Sequence, residues 1–284
     1  MNRIRNLANH GPLPMFASAL LLTFGATRPA AAHEHLAAGA TTSEAGAALI
    51  FVNAANYAAE SGYVIPMEVA ESGRFAGTHH AELTLICQAI DPDLGGPAPF
   101  HPVAGTRVEA VIETVQGPIG GVFAFWEAGD PVASITAPVG QTNGTRRFPV
   151  SENDGAPDAD PYGHVHGRNF SGTAPGLYRV GFRFIDTAGN GPGGGPLHPP
   201  SERFFLHFQA GITLAGITAG PAGPELLFAA ANDFLYQVES SPTLSGPVSW
   251  EPLGDPVSGD NHLHTVLAPA VDGPRFYRLR REPL

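Results

Sequence analysis

Glycine and proline break this chain too often for it to form long helices. Its 284 residues include 35 glycines and 28 prolines. Inside a helix a proline costs roughly 3 kcal/mol relative to alanine and a glycine roughly 1 kcal/mol. Short strands joined by turns remain the way to bury the apolar residues. Apolar runs at 48–52, 80–90, 122–126 and 204–208 read as strands. Residues 107–115 alternate, with Val108, Ala110 and Ile112 on one face and Glu109 and Glu113 on the other. Residues 177–185 alternate most cleanly: Tyr178, Val180, Phe182 and Phe184 against Arg179 and Arg183. A period of two with one polar side suits an antiparallel sheet with one wet face. The expected fold is all-β, an immunoglobulin-like antiparallel β-sandwich followed by a smaller C-terminal β module.

The N-terminus reads as an export leader. Arg3 and Arg5 precede an apolar run at 15–25, and Ala30, Ala31 and Ala32 follow it. That order of basic, apolar and small residues is that of a secretory signal peptide. The run falls short of the roughly 20 residues a bilayer crossing needs, and no transmembrane segment is expected in the mature chain. Cleavage is expected after Ala32, giving a periplasmic, cell-surface or extracellular protein. The predicted organisation is a signal peptide at 1–32, a histidine-containing sandwich at 33–210, a linker at 211–223 and a small β domain at 224–284. Within 211–223 a strand is also compatible with the small, Gly-rich sequence.

Charge excludes some partners. There is no lysine, and taking the leader's three arginines from the 15 basic residues leaves 12 against 26 acidic ones. Nucleic acid and anionic membranes need clustered positive charge and are not expected partners. Cys87 is the sole cysteine, so neither an internal disulfide nor a thiolate zinc cluster can form. It lies in an apolar run and reads as a buried, inert thiol.

Histidine is the informative residue, with 12 in the chain. His164 and His166 form an H-x-H pair. Residues two apart on a strand project from one face, so both imidazoles can reach one metal ion. Neutral imidazole suits zinc, copper and nickel. His33 and His35 form a second such pair. His79 and His80 are adjacent, so only one of them can join a given site, and Glu82 shares a face with His80. His101 and His198 precede prolines and read as solvated loop residues. His262 and His264, near Asp260, read as a solvated edge. The acidic loop at 152–160 lacks the spacing of an EF-hand and reads as solvated.

Three segments carry a family resemblance: GPIGGVFAFWE at 117–127, GHVH at 163–166 and TAPGLY at 173–178, with HEHL at 33–36 as an N-terminal match. Together they resemble the bacterial surface-anchored protein domain of the choice-of-anchor M type, close to zinc-repressed secreted proteins of the PEP-CTERM kind. The resemblance covers roughly residues 33–210. It implies an exported β-sandwich connected with zinc or manganese supply, with His164 and His166 as ligands, joined by His35 and one of His79 or His80. In place of those relatives' sorting signal the chain has a C-terminal stretch ending in FYRL at 276–279, similar to a small module of secreted Verrucomicrobia-like proteins.

The leading expectation is therefore an exported zinc-binding protein for metal scavenging or delivery under zinc limitation, not an enzyme. Its expected partners are the metal ion and a metal-uptake transporter or cell-surface component. No catalytic residue is assigned: G-x-S-x-G, H-E-x-x-H and P-loop motifs are all absent. Two alternatives stand beside it. One is a metal-free adhesion or polysaccharide-binding module using Trp126, Trp250 or Tyr57. The other is a metal-dependent hydrolase with Glu82 as base. A mature chain starting at His33 would also place His35 third. The free amine, two backbone nitrogens and that imidazole then form a square-planar set for copper or nickel. Intact-mass measurement of the secreted chain is expected to give His33 as its first residue; any other start rules the terminal chelate out.

Overall fold

The computed structural model describes residues 35–284. The segment expected to be an export leader, and His33, lie outside the described residues. As predicted, the chain is all-β and sandwich-like. Its first part contains β1 (His35–Ala40), β2 (Leu49–Phe51), β3 (Val64–Val69), β4 (His79–Glu82), β5 (Thr84–Cys87), β6 (Val108–Gln116) and β7 (Val122–Trp126). It continues through β8 (Ile135–Pro138), β9 (Arg146–Pro149), β10 (Gly163–His164), β11 (Asn169–Gly172), β12 (Gly176–Asp186) and β13 (Phe204–Ala210). One four-residue helix, α1 (Ala54–Tyr57), follows β2.

These strands make two sheets. The smaller has the order β10-β5-β1-β2, and the larger β8-β7-β11-β4-β3-β13-β12-β6-β9. Most pairings are antiparallel, but β1–β5 and β3–β13 are parallel, a departure from the wholly antiparallel sandwich expected.

One core fills the space between the sheets. Leu36, Ala38, Leu49, Leu85 and Cys87 from the small sheet join Phe125, Phe170, Phe182 and Phe208 from the large one. The Phe51 and Phe204 rings meet across the layers at 4.7 Å. The alternation read along β12 holds: Tyr178, Val180, Phe182 and Phe184 are fully buried. On the opposite face Arg183 and Arg203 both pair with Glu113. Burial pushes the Glu113 carboxyl up, but the two guanidiniums more than offset this and hold it below the usual range. Cys87 is the buried thiol expected, its pKa pushed up to about 12 by burial.

Two readings change. The apolar run at 80–90 is not one strand but two, β4 and β5, in different sheets. The chain crosses layers at Leu83, which is buried and donates its N–H to the Arg168 carbonyl at 3.2 Å. His198 is not a solvated loop residue but fully buried. Its Nδ1 donates to the Ala47 carbonyl (2.7 Å) and its Nε2 accepts from the Val103 N–H (3.1 Å), tying two loops together.

The C-terminal part has its own core, built on Leu226, Phe228, Tyr236 and Val238. Its strands are β14 (Leu214–Gly220), β15 (Gly223–Ala230), β16 (Phe234–Ser241), β17 (Glu251–Pro252), β18 (Val257–Ser258), β19 (His262–Leu267) and β20 (Phe276–Pro283). Most of the stretch at 211–223 is thus a strand, β14, paired with β15, and not a free linker. The described residues form one compact unit. The seam is stitched by Val64 N–H to Asn261 C=O (2.7 Å), Leu263 N–H to Gly62 C=O (2.9 Å) and the Arg281–Glu68 ion pair.

His198→Ala would leave the part-buried Val103 N–H and Ala47 C=O without their partner, and each such group costs up to about 1–3 kcal/mol. Urea denaturation of this variant is expected to show a loss of about 2–4 kcal/mol; a loss below about 1 kcal/mol contradicts the structural role.

Candidate metal centre

Strand β5 lies between β1 and β10 and sets the site. Leu85 and Cys87 turn into the core, so Thr84 and Ile86 take the opposite face. The parallel register places His35 beside Thr84, and the antiparallel register places His164 beside Ile86. Two residues further, the chain comes level with Thr84 again, and Thr84 Oγ1 is 3.5 Å from His166 Nδ1. The three imidazoles therefore gather on the face of the small sheet that points away from the core.

One ligand atom from each of His35, His164 and His166 lies within 4.8 Å of the others. His35 Nε2 and His164 Nε2 stand 3.2 Å apart. Two ligands on a tetrahedral ion, each about 2.0–2.1 Å from it, stand roughly 3.3 Å apart. That pair already has the required spacing; His166, whose ligand atom is within 4.8 Å of both, has to close in by at most about 1.5 Å, within reach of a side-chain rotation. His35 and His164 are half-buried and His166 is exposed, so the centre faces solvent.

Other groups orient the rings. The Tyr162 hydroxyl is 3.1 Å from His164 Nδ1. With Nδ1–H donated to that oxygen, Nε2 is left as the ligand atom. Thr84 stands in the same relation to His166. The H-x-H segment is pinned from behind as well. A Cβ at Gly163 would collide with the Val150 carbonyl, so only glycine lets β10 lie this close. The buried Arg168 grips Glu127 through two hydrogen bonds (2.6 and 3.0 Å) and also donates to Pro149 C=O. This joins the end of the 117–127 motif to the segment just after GHVH.

No protein-family model matches this chain, and no characterised protein matches it either.

The other predicted ligands fall elsewhere. His79 and His80 sit on β4, in the large sheet, and are not brought into the cluster. His80 stacks on Phe75 (4.2 Å) and contacts Asn169 Oδ1 through Nδ1 (3.1 Å). The layer crossing at Leu83 is the reason. Glu82, the candidate base, accepts from the Gly167 N–H at 3.0 Å and so holds the turn after His166. His33 lies outside the described residues, as does the amine of the terminal chelate. Glu152, Asp154 and Asp160 of the 152–160 loop serve backbone groups. Asp160 accepts from the N–H of Ile90, Asp91 and Tyr162, and Glu152 from that of His164. His264 hydrogen-bonds Asp260 at 2.9 Å and lies against Phe228, a more structured edge than expected.

Tyr162 was within reach of the sequence, since Tyr162, His164 and His166 share one alternating face. Thr84 was not, because only the β1–β5–β10 register puts it between the histidines. Losing a ring-orienting partner typically costs 10–100-fold in metal affinity. Tyr162→Phe is expected to weaken zinc binding about tenfold, measured by competition with a chromophoric chelator, with the melting temperature of the metal-free protein little changed.

Proposed function

We propose that this chain is an exported protein that binds a transition metal, zinc foremost, through His35, His164 and His166, and acts in metal scavenging or delivery under zinc limitation. The observation that supports this reading is the convergence of three imidazoles, from two segments far apart in sequence, on one solvent-facing spot. The donor set is all nitrogen and uncharged. It suits zinc, copper or nickel better than calcium or magnesium, which take oxygen ligands.

A centre with three protein ligands leaves a fourth position for water or for an incoming donor group. Its exposure suits handing a metal on to a partner, here a metal-uptake transporter or a cell-surface component. The acidic surface of the mature chain favours cations over anions. The resemblance to choice-of-anchor M proteins, carried by the 117–127 and 163–178 segments, is part of the same proposal. If secretion exposes the His33 amine, the terminal copper or nickel chelate would compete with the three-histidine centre for His35. Glu82 is committed to the Gly167 turn, which disfavours the hydrolase reading.

Calorimetry at neutral pH is expected to show one zinc ion bound with a dissociation constant well below about 1 μM, some 8 kcal/mol or more. The double variant His164→Ala, His166→Ala should lose at least about a hundredfold of that affinity. Binding no tighter than micromolar, or binding untouched in the double variant, would sink the proposal.

A further inference from the structure

A second site lies at the seam between the two β parts. A groove of about 380 Å3 opens where α1 and the turn after it meet the C-terminal module. Asn56, Tyr57 and Tyr63 contribute from the first part, and Asn232, Asp260 and Asn261 from the second. The two tyrosine rings pack edge to face at 5.0 Å, and the chain is bridged across the seam from Tyr63 to His262.

Three features of this groove point to a ligand. First, among the described residues the side-chain amides of Asn56 and Asn232 and the Nδ2 of Asn261 have no hydrogen-bond partner in the protein. Asn261 spends only its Oδ1, on the Asn232 N–H at 2.9 Å. Second, the backbone is held in an uncommon shape here. Three non-glycine residues have positive φ among the described residues; one of them, Asn261 (60°), lines this groove, and another, Asp233 (66°), directly follows the lining residue Asn232. Such conformations gather where a fold positions functional groups. Third, Asp260 is an ionised acceptor at neutral pH. Burial pushes its carboxyl up, but the hydrogen bond and charge of His264, together with the backbone N–H and charge of His262, outweigh this and hold it below the usual range.

The lining also selects the chemistry. No arginine lines the groove, so a phosphate, sulfate or carboxylate would find His262 as its only partner capable of positive charge. A single carboxylate is too little for calcium, which takes six to eight oxygen ligands. Carboxamides and a carboxylate beside phenol rings match the vicinal hydroxyls and C–H faces of a sugar. The volume falls at the small end of the range of ligand pockets, about 300–1,000 Å3, enough for one or two pyranose rings. We propose that the groove lined by Asn56, Tyr57, Asn232 and Asn261 binds a neutral saccharide. It shares no residue with the histidine cluster, so the two sites stand or fall separately. Trp126 does not contribute a sugar platform: it is buried and its Nε1 donates to Ser171 Oγ. Trp250 is covered by the Arg278 guanidinium at 4.4 Å.

The test is calorimetry of the full secreted chain, with EDTA present to silence any metal. The probes are neutral hexasaccharides of β-1,4-glucose, α-1,4-glucose, N-acetylglucosamine and mannose, with a sulfated hexasaccharide as contrast. At least one neutral probe is expected to bind saturably. Tyr57→Ala and Asn232→Ala should each weaken it about tenfold, the equivalent of roughly one well-made contact. Asn232 is exposed, so its variant should melt with the parent and keep the test valid if Tyr57→Ala fails to fold. Saturable binding of none of the neutral probes overturns the proposal. So does binding unchanged in Asn232→Ala and Asn56→Ala, or tighter binding of the sulfated probe.

Discussion

The parallel pairing of β1 on β5 is the constraint on which the candidate centre depends. Its register puts His35 beside Thr84 and, from the next residue on, Leu36–Ala38 beside Leu85–Cys87. Leu36, Ala38, Leu85 and Cys87 are all buried in the core. A slip of one residue would turn His35 inward and expose Leu36, because side chains alternate with a period of two. Burying a leucine is worth about 1.5–3 kcal/mol. Apolar burial on one face of the sheet therefore aims the imidazoles on the other, and the gathering of the three rings needs no metal to drive it.

The two halves of the cluster are held differently. His35 rides on a six-residue strand paired on both sides. His164 and His166 come from a two-residue edge strand and the turn after it. Polar contacts hold that edge: Glu127 with Arg168, Glu82 with the Gly167 N–H, and Glu152 with the His164 N–H. Arg168 is almost wholly buried, and removing Glu127 would leave its charge without that partner in the interior. The motif at 117–127 thus matters to the site without contributing a ligand. Its last residue anchors the segment that carries the histidines.

Much of the fold was legible because it is local. The alternation in β12, the isolated buried Cys87 and the β character of the C-terminal part follow from a period of two and frequent turns. The run at 80–90 was misread because periodicity is blind to which sheet a strand joins. An apolar stretch looks the same whether it stays in one layer or crosses to another at Leu83. His198 was misread for a related reason. A histidine before proline in a polar loop resembles a solvated one until two distant loops close over it. The β14 strand was only half visible, since its small residues carry little apolar pattern and its pairing with β15 does most to define it.

What the amino-acid sequence determined by itself is the H-x-H geometry. His164 and His166 had to share a face, with Tyr162 on it too, since any extended chain alternates its side chains. Which third histidine joins them was decided only by tertiary structure. His35, His79 and His80 were equivalent candidates along the chain. Strand β5 pairs with β1, while β4 is committed to β3 and β11 in the other layer. That choice rests on packing between residues distant in sequence, and no local pattern carries it.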